Sequence, residues 1–242
     1  MPGDGPVSFK LELTVCDRTI DAEVPIPNLP MRVADLLPVL LAFDSALVGM
    51  AADKSESDGA KISCREGCGA CCRQIVPIAE AEAVYIAELV AALPPPRQAQ
   101  IRERFRRALA ALGAEFVERL RDTSQYKELA QRRQLGVEYF SRGVPCPFLE
   151  GERCTIYQHR PMRCREYLVA SPAENCRQPS PETVRPVDVP VPLSRILFCF
   201  ADGLGNQATH WLPLVLALEF HGEQERFPGP ELFRRFVSQI GH

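Results

Sequence analysis

The nine residues Cys64-Arg65-Glu66-Gly67-Cys68-Gly69-Ala70-Cys71-Cys72 carry four thiols, and that run constrains this chain more than any other part of it. Free cysteines often serve as small buried hydrophobes. Here polar Arg65, Glu66 and Arg73 surround the sulfurs and two glycines interrupt any core period, so metal ligation is the better reading. A chain wrapping tightly around an ion needs positive φ, which Gly67 and Gly69 can supply without strain. Thiolates packed this closely repel one another, and a cation that neutralises them removes the repulsion. Cys71 and Cys72 are adjacent and their side chains diverge, which leaves one of them open to a second centre or to simple packing.

A second group lies downstream: Pro145-Cys146-Pro147-Phe148-Leu149, Cys154-Thr155-Ile156-Tyr157, Arg160-Pro161-Met162-Arg163-Cys164-Arg165-Glu166-Tyr167, and then Cys176. The segment between Cys72 and Cys146 is mostly helical in pattern, a scaffold expected to bring both groups together. Four thiolates saturate one tetrahedral zinc or one cubane iron–sulfur cluster, so eight suit two centres or one centre with residues to spare. Both remain open. Arg160, Arg163 and Arg165 beside Cys164 have two equal readings: hydrogen-bond donors to thiolates or sulfides, or surface partners of Glu166, Glu150 and Glu152. His159 is an alternative zinc ligand by position, although a solvated loop histidine is the plainer reading; His210, His221 and His242 show no ligand spacing. Cys16 and Cys199 fall in apolar patterns and read as core.

The 10 cysteines would also suit a disulfide framework. The opening Met1-Pro2-Gly3-Asp4-Gly5-Pro6 has neither a basic nor an apolar secretory region, so reduced thiols and a cytoplasmic location are the expectation. The 242 residues carry 28 Lys+Arg against 31 Asp+Glu, with 46% hydrophobic and 24% charged residues. That is an ordinary globular composition with room for one large domain. A net charge of −3 makes nucleic acid an unexpected partner. The most apolar stretch, Leu36 to Met50, is interrupted by Pro38 and Asp44, and Trp211–Phe220 is about half the roughly 20 residues a membrane span requires. No membrane span is expected.

Residues 8–26 alternate apolar and polar side chains around Asp17-Arg18, as a small β-hairpin would. From Met31 to about Ala52, Leu36, Leu37, Leu40, Leu41, Phe43, Leu47 and Val48 recur at helical steps, and 53–59 reads as a loop. Pro77–Leu93 reads as a helix stopped by Pro94-Pro95-Pro96. Arg97–Arg121 sets Ile101, Phe105, Ala108, Leu112, Phe116 and Leu120 on one stripe, the clearest amphipathic helix. Its arginines are balanced by glutamates, which favours a solvated face over a binding surface. Tyr126 to about Ser141 is a further helix closed by Gly143. Residues 144–192 are irregular and proline-rich apart from a short helix about Arg160–Val169. Leu193–Phe200, Trp211–Phe220 and Pro230–Ile240 complete the helical segments. Gly203-Leu204-Gly205-Asn206 lacks the third glycine and preceding strand of a nucleotide loop and reads as a turn. The expected fold is mainly α: a hairpin extension over residues 1–30, then a helical domain over 31–242 with an irregular cysteine-rich metal-binding lobe centred on about 60–180.

The series Cys64-x3-Cys68-x2-Cys71-Cys72, Cys146-Pro147-Phe148-Leu149, Cys154-Thr155-Ile156-Tyr157 and Arg160-Pro161-x2-Cys164-Arg165 resembles the CxxCxxCC cysteine-cluster family, to which zinc or iron chelation is ascribed. Three residues, rather than the two of the family's name, separate Cys64 from Cys68. The resemblance implies a metal or iron–sulfur centre held by Cys64, Cys68, Cys71, Cys72, Cys146, Cys154 and Cys164, with Cys176 a looser match. Thiolate ligation suits zinc and iron alike, while the surplus of cysteines and the adjacent arginines favour a [4Fe–4S] cluster. A flagellin lysine N-methylase is a relative of this family, so methyl transfer to a protein lysine is the one reaction the resemblance offers. The chain shows no glycine loop for S-adenosylmethionine and no acid–base pair, so a non-catalytic metal binder for structural, redox or metal-handling use, with room for a protein partner, is the leading expectation.

Overall fold

The computed structural model describes residues 5–200, 211–222 and 224–240. Gly203–Asn206, His210 and His242 lie outside the described residues. Strands β1 (Val7–Val15) and β2 (Arg18–Ile26) pair antiparallel along their whole length, Val7 opposite Ile26 and Val15 opposite Arg18. The turn comes one residue earlier than the alternation predicts. Cys16 and Asp17, at φ +52° and +58°, form the two-residue loop, and two left-handed residues match the natural twist of a hairpin. Phe9, Leu11, Leu13, Cys16, Ile20 and Val24 pack onto the main core.

Helix α1 (Val33–Ser57) runs unbroken through Pro38 and Asp44 and takes in residues read as loop from the sequence. Pro38 sits in the second turn, so its missing N–H affects only the carbonyl of a first-turn residue. By length and composition α1 is apolar enough to cross a membrane; 56% of its most apolar window is buried inside this fold. Leu36, Leu37, Leu40 and Leu47 are fully buried, which makes α1 the central helix of the main core.

The remaining helices are α2 (Glu80–Ala91), α3 (Pro95–Leu112), α4 (Ala114–Arg121), α5 (Leu129–Ser141), α6 (Met162–Glu166), α7 (Leu193–Cys199) and α8 (Gly229–Val237). Short strands β3 (Pro30–Met31), β4 (Pro77–Ile78), β5 (Leu149–Glu150), β6 (Arg153–Cys154), β7 (Leu168–Val169), β8 (Pro186–Val187), β9 (Leu212–Pro213) and β10 (Phe227–Pro228) form the pairs β3–β10, β4–β9, β5–β6 and β7–β8. The chain is thus mainly α with an N-terminal hairpin, as expected.

Three details differ from the sequence reading. Pro77 and Ile78 form strand β4 instead of a first helical turn, because they pair with β9. The stripe from Ile101 to Leu120 is buried throughout, yet Gly113 at φ +83° divides it into α3 and α4. Residues 214–219 form a 3-10 turn rather than an α-helix. Leu214 and Ala217 belong to one core and Val215 and Leu216 to another, so the segment is buried on opposite sides and a one-faced helix does not serve it. The cores surround α1, lie between α2 and α3, and lie among α3, α4 and α5.

Candidate metal centre

Cys64, Cys68, Cys71 and Cys72 occupy the irregular connection between α1 and β4. Its turns are closed by Cys68 N donating to Arg65 O at 3.2 Å, Cys72 N to Gly69 O at 3.0 Å and Gln74 N to Cys71 O at 3.0 Å. Gly67 takes φ +86°, as its role in a tight wrap predicts. Gly69 is needed for a different reason. A Cβ there would lie 2.6 Å from Leu149 Cδ1 and 2.7 Å from the backbone oxygen of Glu152, so only glycine lets this loop rest on the β5–β6 turn.

That seating joins the two cysteine stretches. Cys146 N donates to Cys72 O at 2.7 Å, and Ser63 N donates to Val169 O at 3.0 Å. Glu152 accepts from Arg73 at 2.7 Å and from Arg177 at 2.9 Å, tying three segments together. The Cys64 thiol donates to Tyr167 O at 3.5 Å, and Val169 N donates to Cys64 Sγ at 3.3 Å. The sequence reading offered Glu152 as a partner of Arg160, Arg163 or Arg165 rather than of Arg73 and Arg177, and it did not single out a contact of Tyr167 with Cys64, because these partners are remote along the chain.

Cys146 precedes β5, Cys154 ends β6, Cys164 lies in α6, and Cys176 lies in the 3-10 turn Ala173–Arg177. Buried carboxylates hold α6 at both ends. Glu82 accepts from Ala79 N at 2.8 Å and from Met162 N at 2.9 Å, fixing the start of α6 to the start of α2. Glu166 accepts from Ser194 N at 2.8 Å and from Ser194 Oγ, which caps α7.

All the cysteines are free thiols. Cys64, Cys68, Cys71 and Cys176 share a small apolar cluster with Ala70, Val169, Val184 and Tyr167, while Cys146 and Cys154 pack on the core between α2 and α3. Cys71 connects the groups. It hydrogen-bonds with Cys72. It also interacts electrostatically with Cys64 and Cys176 on one side and with Cys146, Cys154 and Cys164 on the other. Among the described residues no three His, Cys, Asp or Glu side chains form a close ligand group for a single ion.

Burial dominates the chemistry of these thiols. It pushes Cys146 up to about 12 and Cys176 up to about 11, and it raises Cys64, Cys154 and Cys164 in the same direction. Cys71 is raised first by its hydrogen bond with Cys72 and then by burial. Without a cation these groups stay protonated at neutral pH. A metal that binds them has to displace protons, and it then relieves both the burial and the repulsion.

The arginines divide by partner. Arg163 pairs with Glu166 at 3.2 Å. Arg165 donates to the carbonyls of Arg160 and Gln158 and to Ser45 Oγ, pinning the turn before α6 onto α1. Arg160 lies over the Tyr157 ring at 4.1 Å, and its Nε is buried with no acceptor among the described residues. In α3 and α4, Arg97 and Arg104 pair with Glu150, Arg106 and Arg107 with Glu103, and Arg119 with Glu138, as a solvated face requires. His159 is exposed and shares a 2.8 Å hydrogen bond with the Tyr85 hydroxyl, and His221 is exposed with Nδ1 2.6 Å from Glu219 O. Cys16 and Cys199 are half-buried and remote from the other thiols in sequence.

A cleft of about 410 Å³ has Cys68 in its wall, with Lys61, Arg65, Gly67, Glu152 and Arg177 among its other lining residues. A larger one of about 590 Å³, at Arg121, Tyr126, Trp211 and Phe220, has no cysteine in its wall. The family model of CxxCxxCC, "Putative zinc- or iron-chelating domain", matches residues 63–181, the stretch that contains all eight of these thiols. No curated protein and no solved structure matches the chain. The match of residues 63–181 to this family model supports general metal binding by the cysteine-rich stretch.

Proposed function

We propose that this chain is an iron–sulfur protein whose lobe holds a [4Fe–4S] cluster, used for structure or for one-electron transfer. The observation that carries the reading is the seam between the two stretches, where Cys146 N donates to Cys72 O at 2.7 Å and Val169 N donates to Cys64 Sγ at 3.3 Å. Cys71, Cys146, Cys154 and Cys164 are the four-sulfur set drawn from both stretches, with Cys64, Cys68, Cys72 and Cys176 completing the sulfur-lined lobe around Cys71. A single zinc ion, at about 2.3 Å from each sulfur, needs its ligands drawn tightly onto one point. A cluster spreads its thiolates over separate irons and asks for less convergence, which fits thiols that interact without forming a close three-ligand group. Arginine charge beside the sulfurs also fits a cluster, since hydrogen bonds to sulfur and local charge set its potential.

Anaerobic purification with an absorption spectrum and assays for iron, zinc and acid-labile sulfide tests this. The expected result is a brown protein with iron and sulfide. A colourless protein carrying zinc alone overturns the cluster while keeping the family's chelation, and a protein carrying neither overturns both.

A further inference from the structure

We infer that the cleft walled by Tyr126, Trp211 and Phe220 is a second binding site, which takes a small aromatic carboxylate. The inference uses no cysteine and stands apart from the chelating reading. At about 590 Å³ the cleft falls within the roughly 300–1,000 Å³ of pockets that hold small organic ligands. It opens where two cores meet. Tyr126 and Trp211 pack on the core among α3, α4 and α5, and Phe220 packs on the one between α2 and α3. All three rings are half-buried, so a planar apolar ligand gains both buried area and ring contacts by entering.

The walls are tied together before any ligand arrives. Thr123 Oγ1 donates to Trp211 O at 2.6 Å, and Arg121 pairs with Glu219 at 3.0 Å, which fastens the end of α4 to the 211–220 segment. Arg132 donates through Nε to Tyr126 O at 2.8 Å and through Nη2 to Lys127 O at 2.7 Å, clamping the turn that carries both residues. Charge then selects the ligand. Arg121 is neutralised by Glu219 and Glu118. Glu80 stands in the first turn of α2, where the positive end of the helix balances it. Arg132 meets carbonyls but no carboxylate, and the Lys127 ammonium has neither ion pair nor hydrogen bond among the described residues. Two cations without a carboxylate partner, both lining a cleft with aromatic walls, suit a ring that bears one anionic group. A phosphate ester brings more negative charge to a cleft that Glu80 and Glu219 also line, so a monocarboxylate is the better match.

Calorimetric titration of the full chain with 1-naphthoate tests this, with 1-naphthalenemethanol as the uncharged counterpart and AMP as the phosphate one. Apolar attraction alone favours the alcohol, whose polar group is easier to desolvate than a carboxylate. The expected result is binding of 1-naphthoate, with the alcohol and AMP each about ten-fold weaker or worse. Lys127→Gln, a change at an exposed side chain, is expected to weaken 1-naphthoate about five-fold and to leave the alcohol unaffected. Trp211→Leu is expected to weaken both ring compounds, and Lys61→Gln, in the cleft that contains Cys68, to match wild type. Circular dichroism restricts the comparison to folded variants. No binding of 1-naphthoate at millimolar concentration overturns the inference, as does an alcohol or AMP that binds as tightly. Wild-type affinity for 1-naphthoate in Lys127→Gln puts the ligand elsewhere and overturns it too.

Discussion

The body around α1 and the cysteine-rich lobe reach order by different means. The main core contains 21 buried apolar side chains from the hairpin, α1, α7, α8 and their neighbours. At about 1.5–3 kcal/mol for each large side chain fully buried, that is ample for a fold on its own. The lobe cluster has four: Ala70, Val169, Cys176 and Val184. The same stretches reach into the neighbouring cores through Phe148, Ile156 and Met162, so they are anchored at intervals but have little apolar packing of their own around the thiols. What the lobe has in place of apolar area is sulfur, and sulfur becomes a source of stability only when a cation joins it. The body explains why the chain folds, and the lobe explains what it folds around.

The largest effect that separates the two regions is expected on removing the metal. Structural zinc contributes on the order of 10–16 kcal/mol in finger peptides, so stripping should loosen 58–76 and 144–184 together and leave α1 protected. Amide hydrogen exchange of loaded and stripped protein checks this, and unchanged protection across the lobe would break the comparison. Leu37→Ala attacks the other side. Loss of a fully buried leucine in the main core should lower stability by about 2–5 kcal/mol, by the same amount with and without metal. Denaturant unfolding of both forms reads it, and a deficit confined to the loaded form would show that body and lobe are one cooperative unit.

A smaller effect concerns pH. Asp44 is fully buried, both of its carboxyl oxygens lack a hydrogen-bond partner among the described residues, and burial raises it to about 8. It faces Glu166 and Arg165 from α6, Glu82 from α2 and Arg160 from the turn between them. Between about pH 4 and 8 the unfolded chain releases this proton and the folded chain keeps it. Its stabilising contribution is therefore full below pH 4 and is lost as pH rises through 8, at up to about 1.4 kcal/mol per pH unit. Asp44→Asn should match wild type near pH 4 and exceed it near pH 8, measured on stripped protein. Glu82, which burial raises to about 7, keeps part of the slope in the variant. Equal slopes in the two proteins would remove Asp44 from the account. Gly69→Ala is the finest probe of the seam between the stretches. The added methyl meets a backbone oxygen at 2.7 Å and should cost about 1–3 kcal/mol, with weaker metal binding, whereas a wild-type response would mean the loop does not rest on the β5–β6 turn.

Much of this division was legible in the sequence because it depends on local spacing. Helical periods located α1, the α3–α4 stripe and α8, and the alternation of residues 8–26 located the hairpin. Spacing also picked out the eight thiols, of which the structure sets Cys64, Cys68, Cys71 and Cys176 in one small apolar cluster and Cys146 and Cys154 on the core between α2 and α3. Contacts between remote residues were not legible. The α3–α4 break at Gly113 leaves the apolar stripe intact, so periodicity passes over it. Gly69 was recognised as necessary for its freedom in φ, but the structure makes it necessary for a close approach to Leu149 and Glu152. Three neighbouring arginines looked alike until Glu166, Ser45 and the carbonyls of Gln158 and Arg160 showed which of them were already occupied. Asp44 read only as an interruption of an apolar stretch, because its burial depends on α2 and α6, which lie far along the chain.

The claim on which the rest depends is that both stretches grip one inorganic group. Metal content per folded chain should be measured for Cys71→Ser and Cys164→Ser, one variant from each stretch, after identical anaerobic purification. The account predicts that each substitution alone removes most of the metal that wild type carries. Loss in one variant with full retention in the other would assign the metal to a single stretch and contradict it.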